Sequence, residues 1–384
     1  MKDKYDLKLP KEVYSGVDAM QNLSAILAEY GTTKVALFTD AMLRKLGLTQ
    51  EAEAVLQAAG VPYEVIDDAP VEPPYAAVQA LADRFRGMGA DLIVAIGGGS
   101  VMDAAKLCSV LATTDYTVKD LLDDPKQAQK YVKTVMVPTT AGTGAEATPN
   151  AIVAVPEKDT KIGIVNNALM ADAVILDVKM VQNLPPKVAS GPGVDTLCHA
   201  IECFTSTKAN PFSDTFALDS LQLTLDNLEK SCFDKDNLEA KRAMQLASFY
   251  GGIAITAAGT TAVHALSYPL GGKYHVPHGV SNAILLIPVM KFNKPAIADR
   301  LALAYDRCIH GDAVTVDQKA DAMIERMEQI VVALKIPTKV AELGVTDPDI
   351  DFLVEAGMQQ QRLLVNNMRP VTPEDARALY EQII

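Results

Sequence analysis

Side chains able to do chemistry are few in this chain, and their spacing is uneven. It has only five histidines: His199, His264, His275, His278 and His310. Asp195 and His199 stand four apart in a helical run, so they share one face. His264 and His278 lie on either side of a segment with Pro269, Gly271 and Gly272, which reads as a buried turn. From Ala243 to Gly272 there is no Asp, Glu, Lys or Arg, so an imidazole buried there needs a partner. One carboxylate and up to three imidazoles can together hold a divalent metal of the Fe, Zn or Co kind. The same residues can also be separately satisfied core or surface histidines, and His310, near Cys308 and Gly311, reads as surface.

A second set of residues suits a nucleotide. Gly97, Gly98, Gly99 and Ser100 stand between an apolar strand and a helix. Glycines let backbone approach a ligand closely, and helix N-terminal amides favour a phosphate. The spacing is not GxGxxG, and a tight turn would use the same residues. A loop with Thr139, Thr140, Gly142 and Thr143 follows another strand, and Asp40 closes a third. Loops at the C-terminal ends of parallel strands gather around one crevice. Asp40 can accept from ribose hydroxyls and would repel a 2′-phosphate; it can also cap the helix that starts near Met42.

The elements that must position these groups follow from hydropathy. Apolar runs at Lys34 to Asp40, Pro62 to Asp67, Asp91 to Ser100 and Lys133 to Glu146 alternate with helical periods, which indicates a parallel sheet covered on both faces. Shorter strands are expected at 151–155, 161–165 and 173–177. Pro185, Pro186, Gly191, Pro192 and Gly193 then punctuate a boundary. Beyond it helical periods dominate: 194–206, 212–228, 238–258, 278–292, 317–334 and 373–384. The expected architecture is an α/β dinucleotide-binding domain over 1–186 and an all-helical metal and substrate domain over 187–384.

Composition narrows the function further. The 384 residues are 49% hydrophobic and 22% charged, which is ordinary for a globular chain of two domains. A net charge of −13 disfavours nucleic acid and anionic membrane surfaces as partners. The charge-free stretch 243–272 is long enough to span a bilayer, but its polar residues and Pro269 read as a core helix followed by a turn. Five cysteines without a CxxC read as reduced thiols, and MKDKYDLKLP has no apolar signal segment, so the chain is expected to be cytoplasmic.

Four motifs resemble those of the iron-containing (group III) alcohol dehydrogenases. GGGSVMDAAK is similar to that family's GGGSxxDxxK. PTTAGTGAEAT is similar to PTTxxTGSE, with Ala145 where serine is usual. GVDTLCHAIECFTS is similar to GxDAxxHxxExxxS, and HALSYPLGGKYHVPHGVSNA to HxxAHPLGxxxxxPHGxxNA. The resemblance implies a dehydroquinate synthase-like fold with its site in a cleft between the two domains. It implies Asp195, His199, His264 and His278 as metal ligands, Fe(II) before Zn(II). It implies NAD(H) lined by Gly97, Gly98, Gly99, Ser100, Asp103, Thr139, Thr140 and Thr143, with Asp40 at the adenosine ribose and Lys161 near phosphates or ribose. A homo-oligomer is likewise implied.

The chemistry expected is interconversion of a small primary alcohol, or a diol, with its aldehyde. A metal-dependent cyclase or lyase of the dehydroquinate-synthase kind shares the fold, and a non-catalytic scaffold could keep it too. Tyr268 departs from the family's histidine. A phenol ionises near pH 10, a poor match for proton transfer at neutral pH. Imidazole as a side-chain type ionises near neutral pH, so the proton is assigned to His275 or water, while Tyr268 shapes the pocket.

Overall fold

The computed structural model describes residues 4–384. They divide into two compact units. One comprises Lys8–Thr140 and Gly144–Asn183; the other comprises Leu184–Ile384 together with Ala141–Thr143 and residues 4–7. The division is therefore not the single cut near residue 187 read from the sequence. Within the inserted segment the Gly142 backbone packs closely on the Pro186–Phe204 helix: a Cβ there would lie 2.5 Å from Pro192 Cβ.

The first unit is built on a parallel six-stranded sheet. Its strands are β1 (Glu12–Gly16), β2 (Val35–Phe38), β3 (Tyr63–Ile66), β4 (Leu92–Gly97), β5 (Lys133–Pro138) and β8 (Ala173–Asp177). The order across the sheet is β1-β8-β5-β4-β2-β3. β2, β4 and β8 are buried along their whole length, as continuous aliphatic runs in a two-sided sheet must be. β1 was not expected. Its residues alternate between half-buried and exposed with no apolar run, and it pairs on one side only, with β8. The chain runs from β2 outward to β3 and then returns to the other side of β2 as β4. This reversal places a crevice at the C-terminal ends of β2 and β4. Asp40 follows one of those ends and the glycine loop follows the other. β6 (Asn150–Val155) and β7 (Thr160–Val165) form a separate antiparallel ribbon.

The second unit is helical. Its main helices are Pro186–Phe204, Pro211–Phe233, Leu238–Ala258, Ala262–Tyr274, His278–Cys308 and Val316–Ala333. Asn210 and Thr315 start two of them with reciprocal caps to Ser213 and Gln318. Two sequence expectations change here. Gly191, Pro192 and Gly193 lie inside the first of these helices rather than at a boundary. Their small size is used for contact: a Cβ at Gly193 would lie 2.2 Å from Leu228 Cδ1. Likewise Pro269 and Gly271, read as a turn, lie inside the Ala262–Tyr274 helix. That helix turns 109° away from the helix before it, and no single helix among the described residues is long and apolar enough to cross a membrane. Val194, Leu197, Ile201, Leu221, Leu285 and Leu286 are among the residues of its core. Each such side chain contributes roughly 1.5–3 kcal/mol on burial.

Candidate active site

Three helix segments of the helical unit bring four donor residues together. Asp195 and His199 sit one turn apart on the Pro186–Phe204 helix, His264 in the first turn of the Ala262–Tyr274 helix, and His278 at the start of the His278–Cys308 helix. The approach of the last helix depends on Gly279, where a Cβ would lie 2.2 Å from the Gly191 carbonyl oxygen. Asp195 Oδ1 is the hub. It lies 3.5 Å from His199 Nε2, 3.4 Å from His264 Nε2 and 3.6 Å from His278 Nε2. Donor atoms of Asp195, His199 and His264 all fall within 4.8 Å of one another. A metal with bonds of about 2.0–2.2 Å in tetrahedral geometry separates its donors by about 3.3–3.6 Å, so these distances fit a metal directly. Oxygen and imidazole donors without thiolate suit Fe(II) or Zn(II).

The surroundings of His264 strengthen that fit. Glu202, fully buried and on the same helix face as Asp195 and His199, meets His264 Nδ1 with Oε2. Its Oε1 accepts from Thr261 N at 3.0 Å, Thr261 Oγ1 at 2.7 Å and Val263 N at 2.9 Å. One carboxylate thus caps the N-terminus of the His264 helix and turns the ring so that Nε2 faces Asp195. Asn282, one turn after His278, donates from Nδ2 to Asp195 Oδ1 at 2.7 Å and stands 3.2 Å from His264 Nε2. Burial works against the Asp195 carboxylate, yet His199 and the other imidazoles hold its pKa well below the usual range. Burial lowers the pKa of His199. Burial opposes the His264 cation as well, but Glu202 and Asp195 outweigh it and raise its pKa to about 9.

Tyr268 is buried, with its ring centroid 6.0 Å from that of His278. Burial raises its pKa, and the exposed Arg362 opposes the rise through its hydrogen bond and charge. His275 is outside the cluster. It ends the Ala262–Tyr274 helix as a left-handed C-cap with φ 55° and is exposed. His310 is likewise outside the cluster, with φ 53°.

In the α/β unit, the glycine loop joins β4 to the Gly99–Val110 helix. A Cβ at Gly97 would lie 2.5 Å from Val101 Cβ, so the turn requires glycine. Gly98 is the N-cap and no side chain caps that helix end. Thr139 N donates to the Gly97 carbonyl at 3.0 Å, joining the threonine loop to the glycine loop, and Thr140 is half-buried beside Gly98. Thr143 belongs to the segment that packs with the helical unit. Asp40 caps the Ala41–Lys45 helix, accepting from Met42 N and Leu43 N at 2.9 Å each. Asp103, expected at the cofactor, is buried on the Gly99–Val110 helix. Its Oδ2 accepts from Ile152 N at 3.0 Å and its Oδ1 faces Lys106 Nζ at 3.5 Å, so the carboxylate is spent on tying the helix to β6. Lys161 pairs with Glu72 at 2.5 Å, and Ser100 Oγ accepts from Glu72 N at 3.0 Å.

Sequence reasoning missed Glu202, Asn282, Glu72 and Arg362 as site residues. Glu202 was readable, since it follows His199 by three positions on the face that already carries Asp195. Asn282 was readable in the same way, four after His278. Glu72 and Arg362 meet their partners through distant contacts and carry no local signal.

Helices that bring a carboxylate and three imidazoles onto one point, in a chain that also carries a doubly wound sheet with a glycine loop, define a metal-dependent alcohol or aldehyde oxidoreductase. The chain belongs to the iron-containing alcohol dehydrogenase family. The family model for iron-containing alcohol dehydrogenase matches residues 10–178, and that for the C-terminal part of the Fe-containing family matches residues 188–384. Long-chain-alcohol dehydrogenase 1 of Geobacillus thermodenitrificans is 31% identical over 376 residues, covering 97% of this chain and 95% of that protein. The crystal structure of a 1,3-propanediol oxidoreductase superposes with a TM-score of 0.95 at 27% identity, covering 99% of this chain and 100% of the other. A sulfoacetaldehyde reductase from Bifidobacterium kashiwanohense, in complex with NAD+, gives 0.89 at 27% identity over 100% and 99%. The choice left open by the sequence between dehydrogenase and cyclase thus goes to the dehydrogenase.

Proposed function

We propose that the protein interconverts a small primary alcohol or diol and its aldehyde with NAD(H), using Fe(II) in preference to Zn(II). The observation that carries this reading is that three imidazole Nε2 atoms lie 3.4–3.6 Å from Asp195 Oδ1, those of His199 and His264 in a donor set within 4.8 Å of one another. Asp195, His199, His264 and His278 are the proposed ligands. When bound, the ion supplies Lewis-acid polarisation of the substrate oxygen. Gly97, Gly98, Gly99, Ser100, Thr139, Thr140 and Thr143 are assigned to the dinucleotide, with Lys161 at its phosphates or ribose. Asp40 at the end of β2 favours NAD(H) over NADP(H), because a 2′-phosphate would meet a like charge. Tyr268 shapes the pocket, and the proton needed on aldehyde reduction reaches the substrate from His275 or water. A homo-oligomer in the cytoplasm suits the family resemblance and the five free, buried cysteines.

A second reading narrows the substrate. An exposed arginine against Tyr268, whose ring stands 6.0 Å from that of the least buried ligand His278, suits an aldehyde with an anionic tail. The relative named for sulfoacetaldehyde supports it.

One experiment tests both. Iron-reconstituted protein is assayed with NADH and with NADPH against neutral and sulfonated aldehydes, and the His264→Ala variant is carried alongside. We expect NADH to be favoured and sulfonated aldehydes to show the lower KM. His264→Ala should lose iron and turnover together while still binding NADH. Stoichiometric iron and full turnover in that variant would remove the ligand assignment. A preference for NADPH would remove the Asp40 reading, and equal KM across the panel the anionic one.

A further inference from the structure

Glu72 lies in the loop between β3 and the helix that begins at Tyr75. Its φ of +51° is in the left-handed region, which a residue with a Cβ rarely occupies. Such a conformation persists only where the surroundings hold it, and two contacts do so here. The backbone N–H of Glu72 donates to Ser100 Oγ at 3.0 Å, in the first turn of the Gly99–Val110 helix. The side chain reaches Lys161 Nζ on β7 with Oε1 at 2.5 Å. Lys161 is nearly buried, with its side chain 8% exposed, while that of Glu72 is 27% exposed. The carboxylate is the more open partner of a partly desolvated pair.

Ser100 and Lys161 are also the groups that the function proposed above assigns to the dinucleotide, and the inference rests on that assignment for Lys161. We propose that Glu72 is an internal competitor for the cofactor: its carboxylate holds the Lys161 ammonium, and an anionic group of the dinucleotide gains that ammonium only by displacing it. A carboxylate and a phosphate oxygen make the same charge-assisted contact with an ammonium, so one can stand in for the other. Glu72 then acts through Lys161, as a positioning residue that weakens dinucleotide affinity and speeds its release. The left-handed backbone suits that role, since a residue held in a rarely occupied conformation relaxes when its contacts are exchanged.

The test is direct NADH binding to iron-loaded protein, read by the fluorescence of the bound nucleotide, for wild type, Glu72→Gln, Lys161→Ala and the double variant. Glutamine keeps the backbone N–H to Ser100 and removes only the charge. We expect Glu72→Gln to lower the Kd about threefold to fivefold, the scale of one partly exposed ion pair. We expect Lys161→Ala to raise the Kd, and Glu72→Gln to bring no tightening in that background. A wild-type or higher Kd for Glu72→Gln would overturn the proposal, as a merely structural role for the loop would give. Equal tightening with and without Lys161 would overturn it too, since that is simple repulsion of the phosphates. A wild-type Kd for Lys161→Ala would instead remove the assignment of Lys161 beneath it, and the proposal with it.

Discussion

Glu202 never reaches Asp195, yet it decides what His264 can do. Its Oε2 faces His264 Nδ1 and keeps a proton on that side, so Nε2, facing Asp195, is the nitrogen that a cation binds by displacing its proton. A glutamine there would present an N–H donor to Nδ1, or else withdraw its carbonyl from the amides of Thr261 and Val263. The first choice favours the tautomer with its proton on Nε2, the nitrogen that must be bare to bind a cation. Glu202→Gln should therefore weaken iron binding by about 10–100-fold. Competition with a chelator of known affinity measures this, and unchanged affinity would mean that the ring is oriented by packing alone. Part of the donor cluster was legible in the sequence because helical spacing converts directly into a shared face, as for Asp195 and His199. The proton path was not legible. Tyr268 and His275 lie in one short stretch, but the structure buries the first beside His278 and leaves the second at an exposed helix end.

At the scale of elements, the meeting of two helices at Gly191 and Gly279 matters most. With no side chain on either residue, backbone packs on backbone, and this brings His278 to the oxygen that His199 and His264 already face. Gly279→Ala puts a Cβ 2.2 Å from the Gly191 carbonyl oxygen, so one helix must shift. The expected cost is about 1–3 kcal/mol, and the shift should displace His278 first. Thermal unfolding and iron content, measured together, check this; an unchanged melting temperature with full iron content would contradict it. The strands that carry the cofactor loops were legible because they are continuous apolar runs. β1 was not, since a half-exposed edge strand lacks such a run. The His264 helix was misread because proline and glycine in a sequence suggest turns. Here Glu202, from another helix, supplies the N-terminal cap, and tertiary packing overrides the local preference.

For the molecule as a whole, the charge buried in the α/β unit sets how stability varies with pH. Glu146 is fully buried, and no partner hydrogen-bonds its Oε1. Burial pushes its pKa up from 4.5 to about 7, opposed by its own backbone amide and Lys106, with Asp103 adding to the rise. Lys106 itself is pushed down by burial and Asp103 is pushed up. Between about pH 4.5 and 7 the folded chain keeps the Glu146 proton that the unfolded chain releases. Stability therefore falls as pH rises through that window, by on the order of 3 kcal/mol, and stays lower above it. Glu146→Gln should flatten this slope in denaturant melts taken from pH 5 to 8, and an unaltered slope would assign it to other groups. The placement of the metal ligands has a consequence of another kind. His278 follows His199 by 79 residues. An ion gripped by both closes a loop of that length, much as a disulfide does, and removes about 4–5 kcal/mol worth of freedom from the unfolded chain. During synthesis at about 5–20 residues per second, the fourth donor emerges roughly 4–16 seconds after the second. The clasp thus closes only once His278 has emerged, with the later helices of the unit still to follow, and chelation undoes the same fastening in a finished molecule.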